Sequence, residues 1–371
     1  MDMRRRGRQT GVCHAIHVTP GTPHSARIGE EPCFAPGEGE IALKVLRCGI
    51  CGTDTEIAQG LYGASPPGED HLVPGHESLC EVEDIGPGVT GISPGDLVVP
   101  IVRRPCPEAC DPCSRGRWDM CLTGHYAERG ISRLHGMLRE RLTDDAEHCV
   151  VLPARLREVG VLLEPLSIVE KAIEETMRIQ TRTGVPLRRA LVTGAGPIGL
   201  LAALALRSRG LDVAVLDQRP DGSPKARIAQ AAGARYIDDT NQPLERAAAG
   251  MAFDLVLEAG GYAPLVFRAL RRLGRNGAMV LTGVTAGHHT IELDVAALNQ
   301  EMVLENQVLI GSVNAARQHY EAAVRDLSAW QDSLPGLAER LITAQYPLAS
   351  FEDALKKDPD GIKSVVEVAG P

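Results

Sequence analysis

The stretch Arg189-Ala-Leu-Val-Thr-Gly194-Ala-Gly196-Pro197-Ile198-Gly199-Leu-Leu-Ala-Ala-Leu-Ala-Leu206 decides the fold of the second half of this chain. A short β-prone run leads into three spaced glycines and then into an Ala/Leu-rich segment of helical character. In such a strand-turn-helix, Gly194 permits the tight turn, Gly196 lets backbone amides approach a pyrophosphate, and Gly199 lets the helix pack close to the strand. A second β-prone run, Asp212-Val-Ala-Val-Leu-Asp217, ends on an acid 18 residues beyond Gly199. A carboxylate at that place accepts hydrogen bonds from the ribose hydroxyls of an adenosine. Gly194, Gly196, Pro197, Ile198, Gly199, Asp217, Gln218 and Arg219 are therefore the candidate dinucleotide contacts. Asp217 repels a 2′-phosphate and favours NAD, while Arg219 and Lys225 leave NADP open.

From Arg188 to about Val313, strand-like segments (Phe253 to Glu258, Gly277 to Gly283, Val308 to Asn314) alternate with helix-like ones such as Leu265 to Leu273. That alternation predicts an α/β, doubly wound parallel sheet. From Cys13 to Pro153 the pattern differs: short β-prone runs broken by Gly and Pro predict a small, partly open β-barrel with long loops. Val159 to Ile179 reads as helical. Beyond Ala315 we expect a helix, a turn at Tyr346-Pro347, a helix at Phe351 to Lys356 and a last strand from Ser364. The expected division is 13–186, completed by 315–371, around a dinucleotide domain at 187–314, after a disordered tail over residues 1–12.

A chain of 371 residues exceeds what one core usually holds, and its 44% hydrophobic content fills two. Net charge is −9, and no basic stripe follows Arg4-Arg5-Arg6, which argues against a nucleic-acid partner. The arginine run precedes no apolar stretch of the ~7–15 residues an export signal needs. No segment reaches the ~18 apolar residues of a membrane span. The cytoplasm is the expected compartment, where thiols bind metal more readily than they form disulfides.

Thiols are concentrated: all ten cysteines fall within the first 149 residues. Four of them, Cys106-x3-Cys110-x2-Cys113-x7-Cys121, have the density of a closed tetrahedral Zn²⁺ cage, separated by loop residues such as Pro107 and Pro112. Cys51, in Cys48-Gly-Ile-Cys51-Gly-Thr53-Asp54, and His76-Glu77, in Pro74-Gly-His-Glu, supply a thiolate, an imidazole and a carboxylate for a second metal. An open zinc site holds about three protein ligands and leaves room for a substrate oxygen. Cys48 completes a CxxC, but no thioredoxin-like unit surrounds it, and we read it as structural.

The order of Gly-Ile-Cys51-Gly-Thr-Asp, Gly-His76-Glu77, a cysteine-rich lobe, Glu164-Pro-Leu-Ser and Gly194-Ala-Gly-Pro-Ile-Gly resembles the zinc-dependent medium-chain dehydrogenases. Val102-Arg-Arg-Pro-Cys, Asp119-Met-Cys-Leu-Thr-Gly, Glu128-Arg-Gly-Ile and Gly311-Ser-Val-Asn314 are similar to their glucose 1-dehydrogenase branch. The resemblance implies a GroES-like β-barrel catalytic domain joined to a Rossmann domain. It implies a catalytic Zn²⁺ on Cys51, His76 and either Glu77 or Glu164, and a structural Zn²⁺ on Cys106, Cys110, Cys113 and Cys121. Related lobes commonly begin C-x2-C, whereas three residues separate Cys106 from Cys110 here. Thr53 is the expected proton carrier, and Glu128 and Asn314 the expected contacts to sugar hydroxyls. The implied reaction is hydride transfer to NAD(P) from a sugar hydroxyl, C1 of an aldose such as glucose giving the lactone, in a dimer or tetramer. Two alternatives stay open: oxidation of a ring secondary hydroxyl of a cyclitol or modified sugar, and a non-catalytic dinucleotide binder with structural zinc.

Overall fold

The computed structural model describes residues 7–285 and 288–369. The chain divides into two compact units. One comprises the chain up to Ser167 with Asn314–Ser333 and the segment from Ile342 onward, and the other comprises Ile168–Val313 with Leu334–Leu341. The expected line at 186/187 stood just ahead of the alternating segments that begin at Arg188. The division instead falls inside helix Leu163–Gln180, because its first turn packs with the first unit.

The second unit is built on a six-stranded parallel sheet in the order Arg235–Asp238, Asp212–Asp217, Arg189–Thr193, Phe253–Glu258, Leu273–Leu281, Val308–Gly311. Its central strands are apolar in consecutive positions because both faces are covered: Leu191, Val192, Val215, Leu216, Leu255, Val256 and Leu257 are fully buried. Strand order reverses between Arg189–Thr193 and Phe253–Glu258, and Gly194 follows the first of them at that switch point. Gly194 holds φ at +88°, which a side chain resists. A Cβ on Gly199 would stand 1.8 Å from the Gly194 carbonyl oxygen, so only glycine lets helix Pro197–Ser208 start there.

The first unit carries a mixed sheet in the order Ile342–Pro347, Lys363–Glu367, Glu40–Ile50, Glu77–Ile85, Leu97–Pro100, Cys149–Leu152, with Arg141–Asp145 also paired to Glu40–Ile50. Alternation along Glu40–Ile50 sends Ile41, Leu43 and Val45 into a core shared with Val82, Val98, Leu142 and Phe351. Two expectations are corrected here. Tyr346-Pro347 is no turn but the end of an edge strand, where proline is tolerated because no partner needs its missing N–H. Residues 9–12, expected within a disordered tail, are paired instead: Gln9–His17 runs antiparallel to Arg27–Phe34. That strand was hidden because its first residues are exposed and only Cys13, Ala15, Ile16 and His17 are buried. The strand from Val308 ends at Gly311, which frees Asn314 to take φ +61°. Among the described residues no helix is long and apolar enough to cross a membrane.

Candidate active site

The end of strand Glu40–Ile50 delivers Cys51 to the start of helix Gly52–Ala58, where it is the N-cap. Asp54, at the third position of that helix, accepts from the Cys51 backbone N–H at 3.0 Å and so completes a capping box. His76 comes from the approach to strand Glu77–Ile85. The turn before it requires Gly75, whose φ is +92° and whose Cβ would lie 2.8 Å from Cys48 Sγ. Buried Cys48 is thus part of the wall that fixes His76.

Cys51 Sγ lies 3.2 Å from His76 Nε2, and Asp54 Oδ1 lies 3.6 Å from His76 Nδ1. Asp54 Oδ1 and His76 Nδ1 are both buried without a hydrogen-bond partner. A metal on Nε2 fits this arrangement, since it places the ring proton on Nδ1, facing the carboxylate that orients the ring. Cys51, His76 and Glu77 bring three ligand atoms within 4.8 Å of one another, a thiolate, imidazole and carboxylate set suited to Zn²⁺. Burial works to lower the His76 pKa, but the charges of Cys51 and Asp54 outweigh it and hold the ring well above its ordinary value. Burial pushes the Cys51 thiol up, against the pull of His76. Asp54 was not singled out from the sequence as a working residue. Its signal was present as an acid three places after Cys51.

The two candidate glutamates differ. Glu77 is ion-paired with the buried Lys363, which also donates to the Ile50 carbonyl at 3.2 Å. Lys363 arrives because the last strand pairs antiparallel with Glu40–Ile50, setting Ser364 opposite Ile50. Glu164 sits in the first turn of helix Leu163–Gln180, and its charge is felt by His76 and Lys363. Burial, reinforced by Glu77, pushes the Glu164 carboxyl up to about 7 against the pull of His76 and Lys363. Thr53 lies half-buried in the first turn of helix Gly52–Ala58.

In the cysteine-rich lobe all four ligand atoms of Cys106, Cys110, Cys113 and Cys121 lie within 4.8 Å of one another. The three-residue gap after Cys106 is absorbed by Ala109, which adopts φ +46°. The Cys110 N–H points at Cys106 Sγ at 3.4 Å and the Leu122 N–H at Cys110 Sγ at 3.5 Å, contacts that favour thiolates. Hydrogen bonds from the backbone of Leu122 and Cys113 hold the Cys110 thiol below its usual range. Burial opposes ionisation of Cys121, but bonds from the Thr123 hydroxyl and the Thr123 and Gly124 amides bring it down to about 6. Burial pushes Cys113 up to about 12. Four convergent sulfurs, two of them held below their usual range, are a donor set suited to a closed tetrahedral metal site.

Glu128 and Asn314 also meet. Asn314 Nδ2 donates to Glu128 Oε1 at 2.8 Å, and the same oxygen accepts from Arg103 Nε at 3.1 Å and Nη2 at 2.9 Å. The Arg103 guanidinium stacks on Tyr126, 3.8 Å from the ring centre. Arg103 and Tyr126 were not foreseen as supports, although Arg103 lies inside a quoted motif.

In the second unit, Asp217 Oδ2 accepts from the Ala195 N–H at 2.7 Å and Oδ1 from the Arg219 N–H at 2.9 Å, so the acid braces the glycine turn. Gly196 is the N-cap of helix Pro197–Ser208, and a Cβ there would meet nothing within 4 Å. The protein itself does not require glycine at 196. Open space at a helix N-terminus fits the approach of a pyrophosphate.

The glucose dehydrogenase C-terminus family matches residues 157–368, and the alcohol dehydrogenase GroES-like domain matches residues 37–154. The chain is 43% identical to the glucose 1-dehydrogenase of Thermoproteus tenax over 95% of its length and 99% of that protein. It belongs to the zinc-dependent medium-chain dehydrogenases, in the glucose dehydrogenase branch. The glucose 1-dehydrogenase of Methanocella arvoryzae is 41% identical over 95% of this chain and 99% of that relative. Among solved structures, glucose dehydrogenase from Haloferax mediterranei in complex with NADP, Zn and gluconolactone matches with a TM-score of 0.87 at 35% identity, covering 96% of this chain and 100% of that one. This membership agrees with the expected fold, a GroES-like domain with a Rossmann-type parallel sheet. The chain is accordingly an oxidoreductase of the dehydrogenase type.

Proposed function

We propose that the protein oxidises the anomeric hydroxyl of an aldose such as glucose to the lactone, passing the hydride to NAD(P). The observation that carries this reading is the buried carboxylate of Glu128, one oxygen of which is fixed by Arg103 and Asn314; its second oxygen would accept from a ring hydroxyl. A site built to hydrogen-bond hydroxyls selects polyhydroxylated substrates, because a substrate lacking them leaves buried polar groups unpaired.

Cys51 and His76 would hold the catalytic zinc, with Glu77, which lies within ligand distance of both but is ion-paired with Lys363, or Glu164 as the third ligand. The two glutamates would exchange at the ion as substrate enters. Zinc held there would supply Lewis acidity toward the substrate hydroxyl, and a bound NAD(P) would supply the hydride acceptor. Asp54 orients His76, Glu128 and Asn314 orient the sugar ring, and the Thr53 hydroxyl carries the released proton outward. In the lobe, Cys106, Cys110, Cys113 and Cys121 would hold a structural zinc with no open position. Gly194 to Gly199 would cradle the pyrophosphate, and Asp217 would receive the adenosine ribose and favour NAD over NADP. Leu304, Leu309 and Val313 leave apolar surface beside the sheet edge at Val308–Gly311, which suits a contact between copies in a homo-oligomer.

The experiment is Cys51→Ser with metal content counted. The parent should hold about two Zn²⁺ per chain, and the variant should keep the lobe ion while losing the other together with turnover. A folded variant with undiminished activity would remove Cys51 from the reaction.

A further inference from the structure

Away from these residues, His17, Glu31 and His71 bring three ligand atoms within 4.8 Å of one another. The N-terminal hairpin accounts for two of them. Its register sets His17 opposite Arg27, Ala15 opposite Gly29 and Cys13 opposite Glu31, so alternation places His17, Gly29 and Glu31 on one face. The His17 ring lies over Gly29, where a Cβ would come within 2.4 Å of its Cε1. His71 arrives from a segment stitched to the hairpin by paired backbone bonds between Val18 and Leu72, at 2.9 and 2.8 Å.

Glu31 Oε1 lies 2.8 Å from His71 Nε2 and 3.0 Å from His17 Nε2. The His17 and His71 rings stack with centroids 4.0 Å apart. Glu31 Oε2 is held by Arg139 Nη1 at 3.3 Å. The side chains of His17 and Glu31 are only 9% and 8% exposed. Despite its nearness to Glu31, His17 Nε2 is buried with no hydrogen-bond partner. The neighbouring His135 differs: its Nδ1 accepts from the Val73 N–H at 3.0 Å and its Nε2 meets Glu69 at 2.6 Å, so both nitrogens are engaged.

We propose that His17, Glu31 and His71 form a further site for a divalent transition-metal ion, with Zn²⁺ as its occupant. Two imidazoles and one carboxylate suit a borderline ion, whereas Mg²⁺ and Ca²⁺ take oxygen ligands almost throughout. Coordination satisfies the buried His17 nitrogen. Arg139 fixes the carboxylate and, as a nearby positive charge, keeps the affinity below that of the thiolate sites. The ion cross-links the hairpin to the segment that leads into His76.

The test compares the parent with His17→Ala, Glu31→Gln and Glu69→Gln after equilibration with Zn²⁺ and desalting. Bound zinc is measured by mass spectrometry, and thermal melting is followed with and without the added ion. The parent and Glu69→Gln are expected to retain about one more Zn²⁺ per chain than the other two and to gain more in melting temperature from the added ion, since the other two keep only what the thiolate sites contribute. His71→Gln, at a more exposed position, replaces His17→Ala if that variant does not fold. Equal zinc content in all folded variants would overturn the proposal, and so would loss of the ion in Glu69→Gln.

Discussion

Asn314 donates to Glu128 Oε1 at 2.8 Å across 186 positions of sequence. The same oxygen takes two bonds from Arg103, so this carboxylate is oriented before any substrate arrives. Asn314 adopts φ +61°, and Asn314→Gly removes the amide while keeping a backbone that glycine accepts freely. That variant should lower kcat/KM for an aldose about tenfold, or ~1.4 kcal/mol, with cofactor affinity unchanged. Steady-state kinetics together with a cofactor titration check it. Glu128→Ala should in addition lower stability by up to ~3 kcal/mol, since buried Arg103 loses its carboxylate and keeps only the Asp119 carbonyl and the Tyr126 ring.

Lys363→Met should be among the more damaging single changes in the chain. It strands the Glu77 carboxylate at a buried position, an uncompensated charge worth ~3–5 kcal/mol. Urea unfolding measures the loss, and the double variant with Glu77→Gln should recover much of it. A single variant as stable as the parent would mean that the pair does not form.

Arg268 grips Asp239 and Glu245 with bonds of 2.8 to 3.0 Å. The bond from Arg268 lowers the Glu245 carboxyl from its ordinary 4.5 to about 2. Because the folded pKa is depressed, the unfolded chain binds more protons between these values. The stabilisation is complete above the ordinary value and is lost as pH falls toward the folded one. Glu245 is half exposed, so solvent screening keeps the effect small. The melting-temperature gap between the parent and Arg268→Gln should narrow from pH ~6 to pH ~3. A constant gap would show that the pair does not titrate with folding.

Asp217→Asn should raise the ratio of NADP to NAD use by about tenfold, because the repulsion of a 2′-phosphate disappears. Asparagine keeps an acceptor for the Ala195 N–H, so the glycine turn stays braced. A parent with the higher kcat/KM on NADP would show that Asp217 does not set the preference.

The dinucleotide half of the fold was legible because its signals are local. Strands Asp212–Asp217 and Phe253–Glu258 hold the apolar runs 213–216 and 255–257, and their bounds match the reading. The convergence of the four lobe cysteines was legible from spacing, and the positive φ of Ala109 accommodates the unusual gap. Lys363 was not legible, because it reaches Glu77 only through the pairing of the last strand with Glu40–Ile50, a contact no local pattern announces. The hairpin from Gln9 was missed for a related reason: a two-stranded ribbon with an exposed face has little apolar alternation to detect. Glu128 and Asn314 were reached through family likeness alone. The three bonds that converge on one oxygen needed coordinates.

The most direct measurement is turnover on a panel of aldoses, cyclitols and simple aliphatic alcohols with NAD and with NADP, followed by absorbance of the reduced cofactor and by identification of the product. Aldoses should give the highest kcat/KM and yield the corresponding lactone. Simple alcohols outperforming every sugar, or a cyclitol ketone as the main product, would contradict oxidation at the anomeric carbon.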